Sequence, residues 1–270
     1  MIARAVLLAA VLAGLSLGLA GVSDTAAGEA CALSAGGAAT VAAVIDGDTL
    51  SLADGRVLRL AGIEAPKAFL VRPGADVAAL AEASRHELER LAGGARLELR
   101  LGAEQYDRHG RMLAEVRLGD GSSLQEALVA GGFARVRPPA GNTSCQGPLL
   151  LLEQEARRRK FGLWRSPEFG VIRADDPSLI ERKGLYVLVE GRVVSVGRGN
   201  RLDFLNFGRN WRRDFTVMVN ASASGGMAEG GLAIESLSGR RVLVRGVVVE
   251  SGGPAMRLSN PSEIEVLDDE

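Results

Sequence analysis

Thr40-Val41-Ala42-Ala43-Val44-Ile45-Asp46-Gly47-Asp48-Thr49-Leu50-Ser51-Leu52-Ala53-Asp54-Gly55-Arg56-Val57-Leu58-Arg59-Leu60-Ala61-Gly62-Ile63 is the stretch that decides the fold. It holds three short alternating runs, Thr40 to Ile45, Thr49 to Leu52 and Val57 to Ile63, separated by Asp46-Gly47-Asp48 and Ala53-Asp54-Gly55. Alternation of apolar and polar residues matches the two-residue repeat of a half-buried strand, and Asp-Gly supplies the chemistry of a tight hairpin turn. The stretch is read as a three-stranded meander.

Working outward, Val77, Leu80, Ala81, Ser84, Leu88 and Leu91 fall on one stripe of a helix that ends at Gly93-Gly94. Arg96 to Leu101 and Leu113 to Leu118 supply two further strands, and five strands suffice for a small closed barrel. Ser123-Leu124-Gln125-Glu126 has the pattern of a capping box opening a second helix through Ala130. A third helix is expected from about Pro148 to Phe161, with Gly162 just past its end.

Ser166 to Lys183 carries Pro167, Gly170, Pro177 and mixed charge without a period, and reads as a linker. Beyond it, Tyr186 to Val196, Leu202 to Phe207, Phe215 to Val219, Arg241 to Val249 and Met256 to Leu258 form a second five-stranded set, with Ile264 to Leu267 closing the chain. The fold class is therefore α+β, mainly β: a five-stranded barrel with three helices over residues 31–165, a linker over 166–183, and a second small barrel over 184–270.

Ahead of both, one positive residue, Arg4, precedes an apolar run from Ala5 to Ala20. That is the form of a secretory signal peptide within residues 1–30, with small-x-Ala sites at Gly18-Leu19-Ala20 and Gly28-Glu29-Ala30. The run falls short of the roughly 20 residues a bilayer span needs, so no stable membrane span is expected, and a periplasmic or secreted location follows. In an oxidising compartment Cys31 and Cys145, at the two ends of the first folded segment, could form a disulfide; two unrelated thiols is the other reading. The 270 residues are 47% hydrophobic and 4% aromatic with a net charge of −1, so no whole-chain basic field draws nucleic acid, and any such binding must come from local clusters.

Three strings concentrate charge at strand ends and turns: Val44-Ile45-Asp46-Gly47-Asp48-Thr49, Arg59-Leu60-Ala61-Gly62-Ile63-Glu64-Ala65-Pro66, and Tyr106-Asp107-Arg108-His109-Gly110-Arg111. Asp48 and Glu64 offer the hard oxygens a divalent cation takes, and Arg59 and Arg111 can grip phosphate bidentately. In order and spacing the three strings resemble the thermonuclease, or staphylococcal nuclease, family, whose signature is an Ile-Asp-Gly-Asp-Thr turn, an Arg-Leu strand leading to an acidic residue and Pro, and an Asp-x-x-Gly-Arg loop. Glu126-Ala127-Leu128-Val129 and Gly162-Leu163-Trp164 extend the likeness across nearly all of Val44 to Trp164.

The resemblance implies an OB-fold barrel with three helices and a calcium-dependent phosphodiesterase acting on DNA or RNA. It puts Asp48, Glu64 and the backbone carbonyl of Ala65 on the metal, with Asp46 behind them, and Arg59 and Arg111 on the phosphate and the transition state. This sequence departs from the pattern at Lys67, where the family carries the Glu that activates water. A lysine, charged at neutral pH beside carboxylates, makes a poor general base. Its ammonium could instead sit between Asp48 and Glu64 in place of calcium. Glu64 itself replaces the family's usual Asp, Pro138 and Ala140 stand where the family has tyrosines, and His109 replaces a further aromatic. His109 could bond a phosphate or act as a substitute base, or simply face solvent.

Between Arg198 and Phe215, five arginines interleave with four aromatics. Trp211 with Arg209, Arg212 and Arg213 suits single-stranded nucleic acid, rings stacking bases and guanidiniums tracking the backbone. The other reading is core phenylalanines beside a solvated hairpin tip. Three functions stand: an exported nuclease, a degenerate module that keeps the arginine clamp and binds nucleic acid, and a structural envelope protein, against which Arg59 and Arg111 weigh.

Overall fold

The computed structural model describes residues 33–72, 77–139 and 146–267. The expected leader over residues 1–30, both cysteines of the expected disulfide, Cys31 and Cys145, and Ala140 lie outside the described residues. Among the described residues no helix is long and apolar enough to cross a membrane.

The alternating runs become β1 (Ser34–Asp46), β2 (Thr49–Leu52) and β3 (Val57–Leu60), followed by the short β4 (Ile63–Glu64). Helix α1 spans Ala78–Ala92, β5 Arg96–Leu101 and β6 Met112–Arg117. The pairing order β1-β2-β3-β6-β5 closes on itself as a five-stranded barrel, with β3 and β6 parallel. Alternate residues, among them Leu50, Leu58, Leu60, Leu97, Leu99 and Ala114, fill its interior. Helix α2 (Leu124–Ala130) begins where the Ser123 side chain accepts from the Glu126 amide, the first half of the expected capping box. After β7 (Arg135–Val136), which pairs with β4, helix α3 runs over Gly147–Arg158, three residues shorter at its end than the apolar pattern predicts.

The linker expected over residues 166–183 is ordered chain. Ser166 and Asp176 cap short 3-10 segments at Pro167–Phe169 and Pro177–Arg182, and β8 (Val171–Arg173) lies between them. Phe169 and Leu179 are buried, which ties the segment to its neighbours. Local caps and isolated anchors leave no periodicity in sequence, which is why the stretch reads as a linker.

The second β domain comprises β9 (Tyr186–Arg192), β10 (Ser195–Gly197), β11 (Leu202–Asn206), β12 (Thr216–Asn220), β13 (Arg241–Ser251), β14 (Gly253–Leu258) and β15 (Ile264–Leu267). Its order is β10-β11-β12-β14-β13-β9-β8, with β12 and β14 parallel and β15 on β13. Only Val193 and Val194 separate β9 from β10, so one bent strand pairs with β13 at one end and β11 at the other. The first barrel shows the same succession. Helix α4 (Ala221–Glu229), capped by Asn220 between β12 and β13, is an element the sequence pattern does not reveal.

The two halves share a third apolar cluster, in which Ala156, Leu163 and Trp164 meet Tyr186, Leu188 and Leu243. Buried charges cross the same boundary. Arg245 is fully buried, donates to Glu153 of α3 at 2.7 Å and contacts Glu265 of β15. Arg135, 2% exposed, donates to the Tyr186 carbonyl at 2.8 Å, and its guanidinium lies 4.8 Å from the centre of the Tyr186 ring. Buried guanidiniums persist only where they are paired and hydrogen-bonded in this way.

Candidate phosphate-binding site

The turn between β1 and β2 sets the site. Asp46 accepts the Asp48 amide at 3.0 Å, which folds the turn back on itself. Gly47 has room for no side chain: a Cβ there would lie 2.6 Å from the Ser84 Cβ and 2.7 Å from the Ala65 Cβ. The turn is thus pressed against α1 and the chain after β4, and Asp48 is carried fully out of solvent.

Four donors surround the Asp48 carboxylate. Oδ1 accepts from the Thr49 hydroxyl at 3.0 Å and from the Lys67 ammonium at 2.7 Å, and it contacts the Arg59 guanidinium. Oδ2 accepts from the Ala65 amide at 2.7 Å. Burial pushes this carboxyl up, but the charges of Arg59 and Lys67 overcome it and hold the group at about 2. Lys67 also lies 3.3 Å from Asp46 Oδ2. Burial, and then the neighbouring Asp48 charge, raise the Asp46 carboxyl.

Lys67 therefore sits between Asp48 and Asp46, not between Asp48 and Glu64 as expected. Glu64 is turned elsewhere. Its Oε2 accepts from Arg135 Nε at 3.0 Å and Nη2 at 2.5 Å, and Oε1 is held by Arg137. Against the effect of burial, those two arginines keep its carboxyl below its ordinary range. Pairing of β4 with β7 sets Glu64 directly opposite Arg135, which fixes the partner.

These contacts test whether the residues fit calcium. A calcium site needs several oxygens free to turn toward one cation. Here three carboxylates, Asp46, Asp48 and Glu64, face four cations of the chain, Arg59, Lys67, Arg135 and Arg137. Three of the four donors share Asp48 Oδ1 and the fourth holds Oδ2, so both oxygens are engaged by the chain itself. Among the described residues no group of three or more His, Cys, Asp or Glu is arranged to hold a metal. The arrangement does not fit calcium.

The two arginines of the expected phosphate clamp are each held by groups of the chain. Arg59 stands on β3 opposite Leu113 of β6, and Arg111 lies in the loop that leads into β6. Arg59 donates to the Ile63 carbonyl at 3.0 Å, which fixes its side chain. Arg111 is held by Asp107 at 2.7 Å in a loop that turns at Gly110, φ +74°. Asp107 also accepts the amides of His109 and Arg111. His109 is exposed, with its ring against Arg108.

The sequence match to known proteins takes in Arg59, Glu64, Lys67 and Arg111. The family model described as "Staphylococcal nuclease homologue" matches residues 57–166. An "Uncharacterized endonuclease" of Escherichia coli O157:H7 is 34% identical over 130 residues, which cover 46% of this chain and 74% of the relative. The chain belongs to the staphylococcal nuclease homologue family. A "Thermonuclease" of Staphylococcus intermedius is 30% identical over 125 residues, 45% of this chain and 72% of that protein. One of Staphylococcus hyicus is 29% identical over 124 residues, covering 45% and 72%. Within the staphylococcal nuclease frame, Asp48 and Glu64 are each paired with cations of the chain itself.

Arg209, Trp211, Arg212 and Arg213 are not part of this site: they occupy the loop between β11 and β12 in the second domain. Pattern reasoning over the first barrel did not find Arg135 and Arg137. The alternation Arg135-Val136-Arg137 signals a strand, but which carboxylate it meets depends on the β4–β7 pairing.

Proposed function

We propose that this protein is an exported nucleic-acid-binding member of its family, in which cations of the chain stand where the resemblance implies calcium. Its first barrel holds the phosphate backbone of DNA or RNA, single strands preferred, through Arg59 and Arg111. The observation that carries the reading is the Lys67 ammonium 2.7 Å from Asp48 Oδ1. Lys67 there pairs with Asp48 in place of a metal ion, and it occupies the position at which the family carries the Glu that activates water.

The phosphodiester is thus bound and not cut by the calcium route. The family's hydrolytic activity is the competing reading, supported by the nuclease names of the relatives. Incubation of the purified protein with single- and double-stranded DNA and RNA, in calcium or in chelator, beside a Lys67→Glu variant, separates the two. Retention of the oligonucleotide by wild type in chelator without cleavage, with calcium-dependent cleavage by the variant, is the expected result. Calcium-dependent cleavage by wild type contradicts the proposal.

A further inference from the structure

The second domain carries a cleft of about 650 Å³ on the sheet face turned away from its core. Leu205, Val217, Val219 and Met256 point inward, so Phe204, Asn206, Thr216, Met218 and Ala255 project to the opposite side. Cross-strand register places Phe204 beside Met218 and Asn206 beside Thr216, and Thr216 beside Ala255 on β14. Small residues at Ser195, Gly197 and Ala255 hollow the floor between the larger side chains.

The loop between β11 and β12 forms the wall. Gly252 in the β13–β14 turn lets Trp211 approach, a Cβ there falling 3.0 Å from the indole. Trp211 remains 57% exposed, and the Arg212 guanidinium lies 5.1 Å from its ring centre. Arg209 lines the cleft, and among the described residues no carboxylate is paired with Arg209 or Arg212. One polar group on the floor lacks a partner. Thr216 is 8% exposed, and its hydroxyl is buried with no hydrogen bond.

A buried hydroxyl without a partner costs folding free energy; Thr216 lines the cleft, and a turn about its χ1 brings the hydroxyl from its buried position to a ligand atom there. The volume is that of a small-molecule site, the walls are aromatic and apolar, and the rim is cationic. A flat ring with hydrogen-bonding edges, joined to a negative group, matches all three features. We propose that this cleft is a nucleotide subsite: a nucleobase lies against Trp211 and Phe204, its edge bonds the Thr216 hydroxyl, and its phosphate faces Arg209 and Arg212. The inference rests on the nucleic-acid reading above and adds a second, separate contact point. The base could belong to a free nucleotide or to one residue of a strand.

Two tryptophans make the test direct, because Trp164 is buried while Trp211 stands at the cleft. AMP and a fifteen-residue oligo(dT) are titrated against the full chain while tryptophan emission is followed. Saturable quenching by both, with AMP displacing the strand from the cleft, is the expected result. Quenching by AMP alone assigns the site to free nucleotides, and quenching by both assigns it to either source. Thr216→Val should weaken AMP about three- to tenfold, the ratio expected of one hydrogen bond, with Tm unchanged or raised. Phe204→Ala should weaken it further. Arg111→Ala, in the other barrel, should leave AMP quenching intact while lowering oligonucleotide affinity. Absence of AMP quenching, or unchanged AMP affinity in Thr216→Val, overturns the subsite. An Arg111→Ala variant that keeps full strand affinity overturns the first-barrel reading and leaves this one standing.

Discussion

The ammonium of Lys67 lies 2.7 Å from the fully buried carboxylate of Asp48, in a chain whose family frame is that of a nuclease. This contact converts a pair of acidic turn residues into an internally neutralised cluster. Arg59 completes it from β3.

Removal of the ammonium should cost stability. Lys67→Ala leaves Asp48 buried with Arg59 as its one remaining cation, a loss of about 1–3 kcal/mol for a broken, largely buried pair. Urea unfolding measures it. A variant as stable as wild type would mean that the pair is solvated and that Lys67 does not hold the turn.

Acid should unfold the protein through the same group. Asp48 titrates at about 2 in the fold against an ordinary value of 3.8. A carboxyl depressed on folding adds stability that is complete above its ordinary value and is lost as pH falls through its folded one. About 2 kcal/mol should therefore vanish between roughly pH 4 and pH 2. Glu64, depressed by Arg135 and Arg137 despite its burial, adds in the same direction. Asp46, raised by burial and by Asp48, opposes them, because protonating it relieves a repulsion. Thermal melts from pH 5 to pH 2 should show the slope, and Asp48→Asn should flatten it. An equal slope in both would assign the acid sensitivity elsewhere.

The two domains should unfold together because of Arg245. Truncation in Arg245→Ala strands Glu153, fully buried, without its cation, at a cost of about 3–5 kcal/mol. Denaturant curves followed by Trp164 fluorescence and by far-ultraviolet dichroism should coincide in wild type. Separated transitions in the variant would identify the pair as the coupling element, and an unchanged midpoint would remove it from that role.

Much of this was legible in the sequence, because it depends on neighbours along the chain. The Asp46-Gly47-Asp48 turn, the strand Thr49–Leu52 and the Ser123 cap each follow from residues a few positions apart. The partners of the charged groups were not. Arg135 lies 71 residues from Glu64 and meets it through a two-residue strand pair that no periodicity announces. The sequence places Lys67 near the carboxylates but does not choose among them: it pairs with Asp48 and Asp46, while Glu64 is held by Arg135 and Arg137. Helix α4 carries four poor helix formers, Ser222, Ser224, Gly225 and Gly226, in succession or nearly so, and stands on its Asn220 cap and its packing through Ala223 and Met227.

Phosphate contact in the first barrel should appear as a salt effect. Each guanidinium that neutralises a phosphate of a single strand contributes about 0.7 to the slope of log affinity against log salt. Arg111→Ala should lower oligonucleotide affinity and reduce that slope by about this amount. Filter binding across salt concentrations measures both. An unchanged slope would place the strand elsewhere on the protein.

Isothermal titration of calcium into the purified protein tests the central claim most directly. With Lys67 on Asp48 and with Arg135 and Arg137 on Glu64, wild type should give no saturable heat at concentrations up to about 1 mM, the range of weak oxygen-ligand sites. Lys67→Glu should gain a binding isotherm. Tight, saturable calcium binding by wild type would contradict the account.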